Sequence, residues 1–235
     1  MVSTTAWIIG GTALGILILC CIFGIFFLYK SKQLEADLLI YAGLLTIFTG
    51  LFYLGATAEF LSVVLTGYSL DNSYGLHGIL AYMWVAPAVI VAMYLGSELM
   101  IPNKKKVIVG IYLILGIIFE LFLFLDTMNA FTFDDPAVMG QDLRDSSFNR
   151  NHPTFYLLAF FLLSALVFEG IGFAIKAKQA SGDIRTKFVY LSFGFVIFVL
   201  CGALDSLITP GIGLIFVRSG MLIYAWLVYL GLKPA

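Results

Sequence analysis

The chain has 235 residues, of which 61% are hydrophobic and 11% charged, with a formal net charge of −1 and a mean hydropathy of +1.03. So little polar surface excludes a water-soluble globule of this length. The near-neutral balance also excludes a nucleic-acid binder, which needs a concentrated basic face to pair with phosphates.

Charged and turn residues cut the chain into seven apolar stretches, 7–29, 37–60, 78–100, 107–127, 154–176, 186–208 and 211–232. Each meets the roughly 20 residues needed to cross a hydrocarbon core of about 30 Å at 1.5 Å per residue. Helix is the only state at these lengths that satisfies every backbone N–H and C=O inside lipid. The sequence therefore predicts an all-α fold, a polytopic membrane protein in which residues 1–235 form a single seven-transmembrane-helix bundle.

The first stretch follows a start that has no Lys or Arg through Trp7 and no small-residue cleavage site closes it, so it reads as a retained helix rather than a signal peptide. Gly11 and Gly15 form a GxxxG pattern suited to helix packing. Cys20 and Cys21, with Cys201 in the sixth stretch, have no CxxC spacing and read as small apolar filler; palmitoylation of Cys20 or Cys21 is the alternative. In the second stretch Thr46, Thr49, Tyr53 and Thr57 share one helical face, a polar stripe that should look into the bundle, and Glu59 lies near its end. Pro87 is expected to kink the third stretch. The fourth carries Glu120 and ends at Asp126; the connection Met128 to Pro153, mostly polar or turn-forming, is expected to hold no second domain. Glu169 sits deep in the fifth. Asp205 shares a small-residue face of the sixth with Tyr190, Gly194 and Cys201. A tight turn at Thr209, Pro210 and Gly211 leads into the seventh, which carries Arg218.

Orientation follows from the basic residues. Ten of the thirteen (Lys30, Lys32, Lys104, Lys105, Lys106, Lys176, Lys178, Arg185, Lys187 and Lys233) fall on one side, while the opposite loops hold Arg144 and Arg150 among several aspartates. The positive-inside rule puts the N-terminus outside and the C-terminus in the cytoplasm.

Ionisable residues within spans are the informative ones, since each costs roughly 2.5 to 3.5 kcal/mol at the centre of a helix unless it is paired, hydrated or useful. Helix rise places Arg218 about 10 Å, Asp205 about 5 Å and Glu120 about 10 Å below the outer helix ends. Arg218 and Asp205, on antiparallel neighbours, are expected to form an ion pair, either stapling two helices or lining an outward-facing polar pocket completed by Glu120, Glu59 and Asp126. Glu169 lies in the inner half without a basic residue at its depth. It is expected to hydrogen-bond Tyr94 or Ser164, and it is the candidate for a proton relay.

The last span has no lysine for a covalent retinal linkage. Three-His zinc chemistry is not available from His77 and His152, which read as exposed; a shared metal with Asp134 or Asp135 requires the outer loop to fold over. No GxSxG, HExxH or P-loop occurs, so the reading leans away from an enzyme, and no cofactor is assigned.

The final helix, FVRSGMLIYAWLVYLGLK from Phe216 to Lys233, resembles the closing helix of the seven-helix membrane sensor domains that precede histidine kinases in archaea and bacteria. The likeness covers this helix and the topology. This chain ends at Ala235 without a kinase, so the resemblance implies a stand-alone sensor in the cell membrane that acts through a separate cytoplasmic signalling partner. The expected function is receptor-like or sensory, with an outward-facing pocket for a small molecule, lipid or ion. The alternative is a small proton- or ion-coupled transporter using Glu120 and Glu169, although seven spans do not divide into inverted halves. The lipid bilayer is a partner in either case, and self-association is left open.

Overall fold

The computed structural model describes residues 2–136, 138, 140–205 and 212–234, and the side chain of residue 212 is not among the parts described. Eleven α-helices and one two-stranded sheet are formed within these residues. Six helical segments are long and apolar enough to cross a membrane, and a bent pair makes up to seven. The turn expected at Thr209, Pro210 and Gly211 lies outside the described residues.

α1 (Thr4–Leu34) starts at Ser3, whose hydroxyl accepts the Ala6 amide at 3.0 Å, and stops where Glu35 turns left-handed at φ 51°. At 31 residues it is about 46 Å long, well beyond the ~30 Å that lipid requires. The second span is broken into α2 (Asp37–Leu51) and α3 (Leu54–Thr66), bent by 46°. No proline causes this. The break is a tight turn in which the Tyr53 amide reaches the Gly50 carbonyl at 3.1 Å, flanked by two glycines at close approaches. A Cβ on Gly50 would meet Cys20 Cβ at 2.6 Å, and one on Gly55 would meet the His77 carbonyl oxygen at 2.3 Å.

The third span runs through α4 (Leu76–Tyr82) and α5 (Val85–Met100), interrupted at Met83 and Trp84. Pro87 accounts for the site of interruption, because it has no N–H to offer the Met83 carbonyl four residues earlier. The fourth is α6 (Lys105–Leu125), followed by the short α7 (Thr127–Ala130). The fifth passes from α8 (Pro153–Ala165) through a π-helical turn (Leu166–Ile171) into α9 (Gly172–Gln179). α10 (Gly182–Asp205) and α11 (Ile212–Leu232) complete the set.

The helices close into a ring: α1 packs on α2, α3 and α11, α11 on α10, α10 on the fifth span, the fifth span on α5 and α6, and α5 on α2. α1 and α2 approach at Gly24, where a Cβ would come within 2.7 Å of the Gly43 carbonyl oxygen. Gly11 and Gly15 do not serve this role. Nothing lies within 4 Å of a Cβ built on either, so the GxxxG pattern faces away from the bundle.

Exposure follows the logic of lipid rather than water. On α6, Val107, Ile111, Ile114, Ile118, Leu121 and Leu125 form an exposed apolar stripe at helical spacing, and Ile18, Ile22 and Ile25 do so on α1. The polar stripe of the second span is turned inward as expected: Thr46, Thr49, Tyr53 and Thr57 are all buried.

The connection after α6 is more ordered than its composition implies. β1 (Phe131–Asp134) and β2 (Asp145–Phe148) pair antiparallel, with Phe131 opposite Phe148. Both phenylalanines are buried against Tyr82, at ring separations of 5.3 and 4.4 Å, so the hairpin caps one end of the bundle. The chain start joins this cap through the Ser3 amide, which donates to the Gln141 carbonyl at 2.9 Å. The opposite end carries the lysines.

Candidate ligand site

Beneath the hairpin lies a cavity of about 260 Å³ lined by Arg218, Arg144, Asp134, Asp135, Asp142 and Asp145 among others. Its floor is Arg218, 3% exposed, held in three ways: its Nη1 donates to the Ile9 carbonyl of α1, its guanidinium carbon lies 5.8 Å from the Tyr53 ring centre, and α11 packs on α1 and α10. The break in the second span thus brings Tyr53 against the guanidinium. Arg218 Nε has no hydrogen-bond partner.

The expected ion pair with Asp205 is not formed: among the described residues no N···O distance of 4 Å or less joins the two side chains. Instead the guanidinium turns to α1. Asp205 opens onto a separate small cavity of about 60 Å³ with Tyr53, Tyr82, Phe198 and Met221, and its Oδ1 is unpartnered. The two charges still share one neighbourhood, since both act electrostatically on Tyr53, Tyr82 and Asp145.

The other expected pocket residues go elsewhere. Glu59 is fully buried but serves the loops: its Oε2 accepts the Leu70 amide at 2.9 Å and its Oε1 the Arg144 amide at 3.3 Å. Arg144 then closes the cap by donating from Nε to Asp135 Oδ1 at 2.6 Å and from Nη1 to the Leu70 carbonyl at 2.8 Å. Glu59→Ala strands two amides, at about 1 to 3 kcal/mol each. Limited proteolysis should therefore show trypsin cutting after Arg144 and Arg150 at least fivefold faster than in the wild type, with Glu59→Gln intermediate.

Glu120 faces a lateral apolar cavity between α5 and α6, its carboxyl beside the Ala86 backbone amide and Pro87 and away from Arg218. Asp126 ends α6, accepting from Asn129 Nδ2 at 2.7 Å and pairing with His152 Nε2 at 3.3 Å. The histidines, expected on the surface, are buried: His77 Nδ1 meets Ser146 Oγ at 2.9 Å, and His152 Nδ1 meets Thr154 Oγ1 at 2.8 Å. No group of three or more His, Cys, Asp or Glu comes together to hold a metal among the described residues. Neither Tyr94 nor Ser164 reaches Glu169. Tyr94 takes Lys105 Nζ at 3.3 Å, and Ser164 Oγ accepts from the Tyr112 hydroxyl while donating to the Phe160 carbonyl.

The sequence marks Asp142, Arg144 and Asp145 only as loop charges, and Asp134 only as a possible metal partner of the histidines. The available signal is the apolar–polar alternation in FTFD, which marks a strand at the start of this loop; DSSF does not alternate, and its pairing is decided by tertiary structure. Asp145 carries the clearest electrostatic consequence. Burial, with the nearby Asp205, pushes its carboxyl up to about 6, while Arg218 partly offsets the rise. A carboxyl whose folded value is raised favours the fold in its protonated form, so the contribution is complete below about pH 4 and is lost as pH rises through about 6. The unfolding free energy of the wild type should fall across this window relative to Asp145→Asn, by on the order of 1 to 2 kcal/mol given the partial exposure of the residue.

No protein-family model matches this sequence, and no curated protein gives a significant match. Fold and composition define the class by themselves: a membrane-embedded, polytopic helical protein. Its distinguishing feature is a charged cavity beneath the hairpin at one end of the bundle.

Proposed function

We propose that this protein is a receptor-like, seven-helix protein of the cell membrane, with its hairpin end outside and its lysine end in the cytoplasm, that binds a small molecule carrying an anionic group at Arg218. The carrying observation is a buried guanidinium with an unpartnered Nε on the wall of a cavity of about 260 Å³. Such a group is costly to leave unsatisfied, and its planar fork suits a carboxylate or phosphate. The aspartates around it favour a ligand that also bears a cationic or hydrogen-bond-donating group, so a zwitterion fits better than a bare anion. The orientation rests on the ten basic residues that gather at the end away from the hairpin. Output through a separate cytoplasmic partner follows from the resemblance of the last helix to kinase-linked sensor domains.

Native mass spectrometry of the full chain, gently extracted and then titrated with amino acids, dicarboxylates and inorganic phosphate, tests this reading. A discrete adduct that survives in Glu169→Gln and disappears in Arg218→Gln supports it. Equal adducts in wild type and Arg218→Gln sink it.

The transporter reading is kept alive by one observation. The Asp205 cavity shares Phe52, Val85, Leu158, Leu162 and Phe198 with a mid-bundle cavity, which in turn shares Leu45 and Phe195 with the cavity at Glu169. Proton flux in liposomes that depends on Glu169 would favour it over the receptor.

A further inference from the structure

A cavity of about 360 Å³ sits at the lysine end of the bundle, lined by helices α2, α5, α10 and α11 and by the fifth span. Its lining is apolar, with Ala42, Leu95, Leu191, Phe195 and Val228 prominent, and it extends to Leu38, Leu99 and Leu232 near the helix ends. Two polar side chains contribute among the described residues. The Thr46 hydroxyl is already committed to the Ala42 carbonyl at 2.8 Å; Glu169 is fully buried and neither of its oxygens makes a hydrogen bond of good geometry.

Two local irregularities create this arrangement. The fifth span widens into a π-helical turn at Leu166–Ile171, a form that is rare and often marks functional positions, and Glu169 lies within it. Facing it on α5 is Gly96, where a Cβ would come within 2.6 Å of Phe168 Cβ and 2.9 Å of Glu169 Oε1. A glycine therefore makes room for a carboxyl to which this wall offers no more than the approach of the Gly96 backbone, short of good hydrogen-bond geometry. Leaving such a group without a hydrogen bond is expensive, which favours an occupant that supplies one.

We infer that this cavity binds a long apolar molecule ending in a hydroxyl, with the hydroxyl on Glu169 and the chain running toward Leu99 and Leu232. A hydroxyl both donates and accepts, so it satisfies the carboxyl with or without its proton. An ammonium head requires an ionised carboxylate against an otherwise apolar wall, which disfavours it. The volume falls in the lower part of the range for small-molecule sites, about 300–1,000 Å³. This site is independent of the Arg218 cavity.

The test uses the full chain in phosphatidylcholine nanodiscs and a 16-carbon primary alcohol with a mid-chain diazirine. Photolabelling should map to Leu95, Leu191 or Phe195, and unlabelled hexadecanol should compete at least tenfold better than hexadecane. Ala42→Phe, which fills the cavity, should cut labelling at least tenfold. Glu169→Leu should erase the preference of alcohol over alkane, whereas Glu169→Gln, whose amide also donates and accepts, should keep it. Labels confined to bilayer-facing residues such as Ile114 and Leu121 would overturn the proposal, as would hexadecane competing equally in the wild type.

Discussion

Arg218→Ala is expected to lower the melting temperature of the purified protein by roughly 6 to 12 °C and to abolish binding of an anionic ligand at the hairpin end. The side chain is 3% exposed and donates a charge-assisted hydrogen bond to the Ile9 carbonyl. Losing that bond costs about 1.5 to 3 kcal/mol, although Ile9 keeps the Thr12 hydroxyl at 2.9 Å as another donor. The larger effect is electrostatic. Arg218 is the cation in the neighbourhood of Asp205, whose Oδ1 is buried without a partner, and breaking a buried pair costs about 3 to 5 kcal/mol. Because the two charges do not touch, the lower end applies, and about 3 kcal/mol corresponds to the quoted shift at 2 to 4 °C per kcal/mol for a chain of this size. Arg218→Lys keeps the charge without the planar fork and should recover about half of the stability and little of the binding. A wild-type melting temperature for Arg218→Ala would contradict the assigned role.

Phe148→Ala is expected to loosen the cap while leaving the bundle standing. Phe148 is 3% exposed and meets Tyr82, Phe131 and Phe119 at ring separations of 4.4, 4.8 and 6.4 Å. Truncating a buried Phe costs about 3 to 5 kcal/mol. Most of that falls on a two-stranded hairpin that is marginal without its hydrophobic face. Hydrogen exchange should accelerate at least tenfold at the amides of Phe131–Asp134 and Asp145–Phe148, while the buried helices change little. Uniform acceleration across the chain would mean that the hairpin belongs to the cooperative core rather than capping it. Ligand dissociation from the Arg218 cavity should quicken in step, since the residues of the cavity roof are held by this pairing.

The expectations that held rest on lipid as the solvent. A run such as 107–127 has only one way to satisfy its backbone in hydrocarbon, so the polytopic helical character follows from hydropathy alone. The inward turn of Thr46, Thr49, Tyr53 and Thr57 follows likewise, because a helix shows one face to its neighbours and polar groups avoid the other. Pairing was harder to read. Arg218 was assigned to Asp205 by proximity along two adjacent helices, but its hydrogen bond goes to a carbonyl 209 residues away in sequence, a contact that depends on how α11 meets α1. Gly11 and Gly15 match a packing motif yet face outward, while Gly24, Gly50 and Gly55 make the close approaches. Spacing gives the face of a helix and not the direction in which that face looks.

By itself, then, the sequence determined the class of the protein, because apolar length and the pattern of charges are one-dimensional quantities that the bilayer reads directly. It also marked which residues were worth explaining: Arg218, Asp205, Glu120 and Glu169 each stand out against an apolar background. Only the tertiary structure decided what they do. It separated Glu120 from the polar cavity, gave Glu59 to the loops, folded Arg144 and Asp145 over Arg218, and left Glu169 facing an apolar chamber. The physical reason is that a charged side chain in a low-dielectric interior is governed by whatever lies within a few ångströms, and in a bundle of helices those neighbours come from segments far apart in the chain.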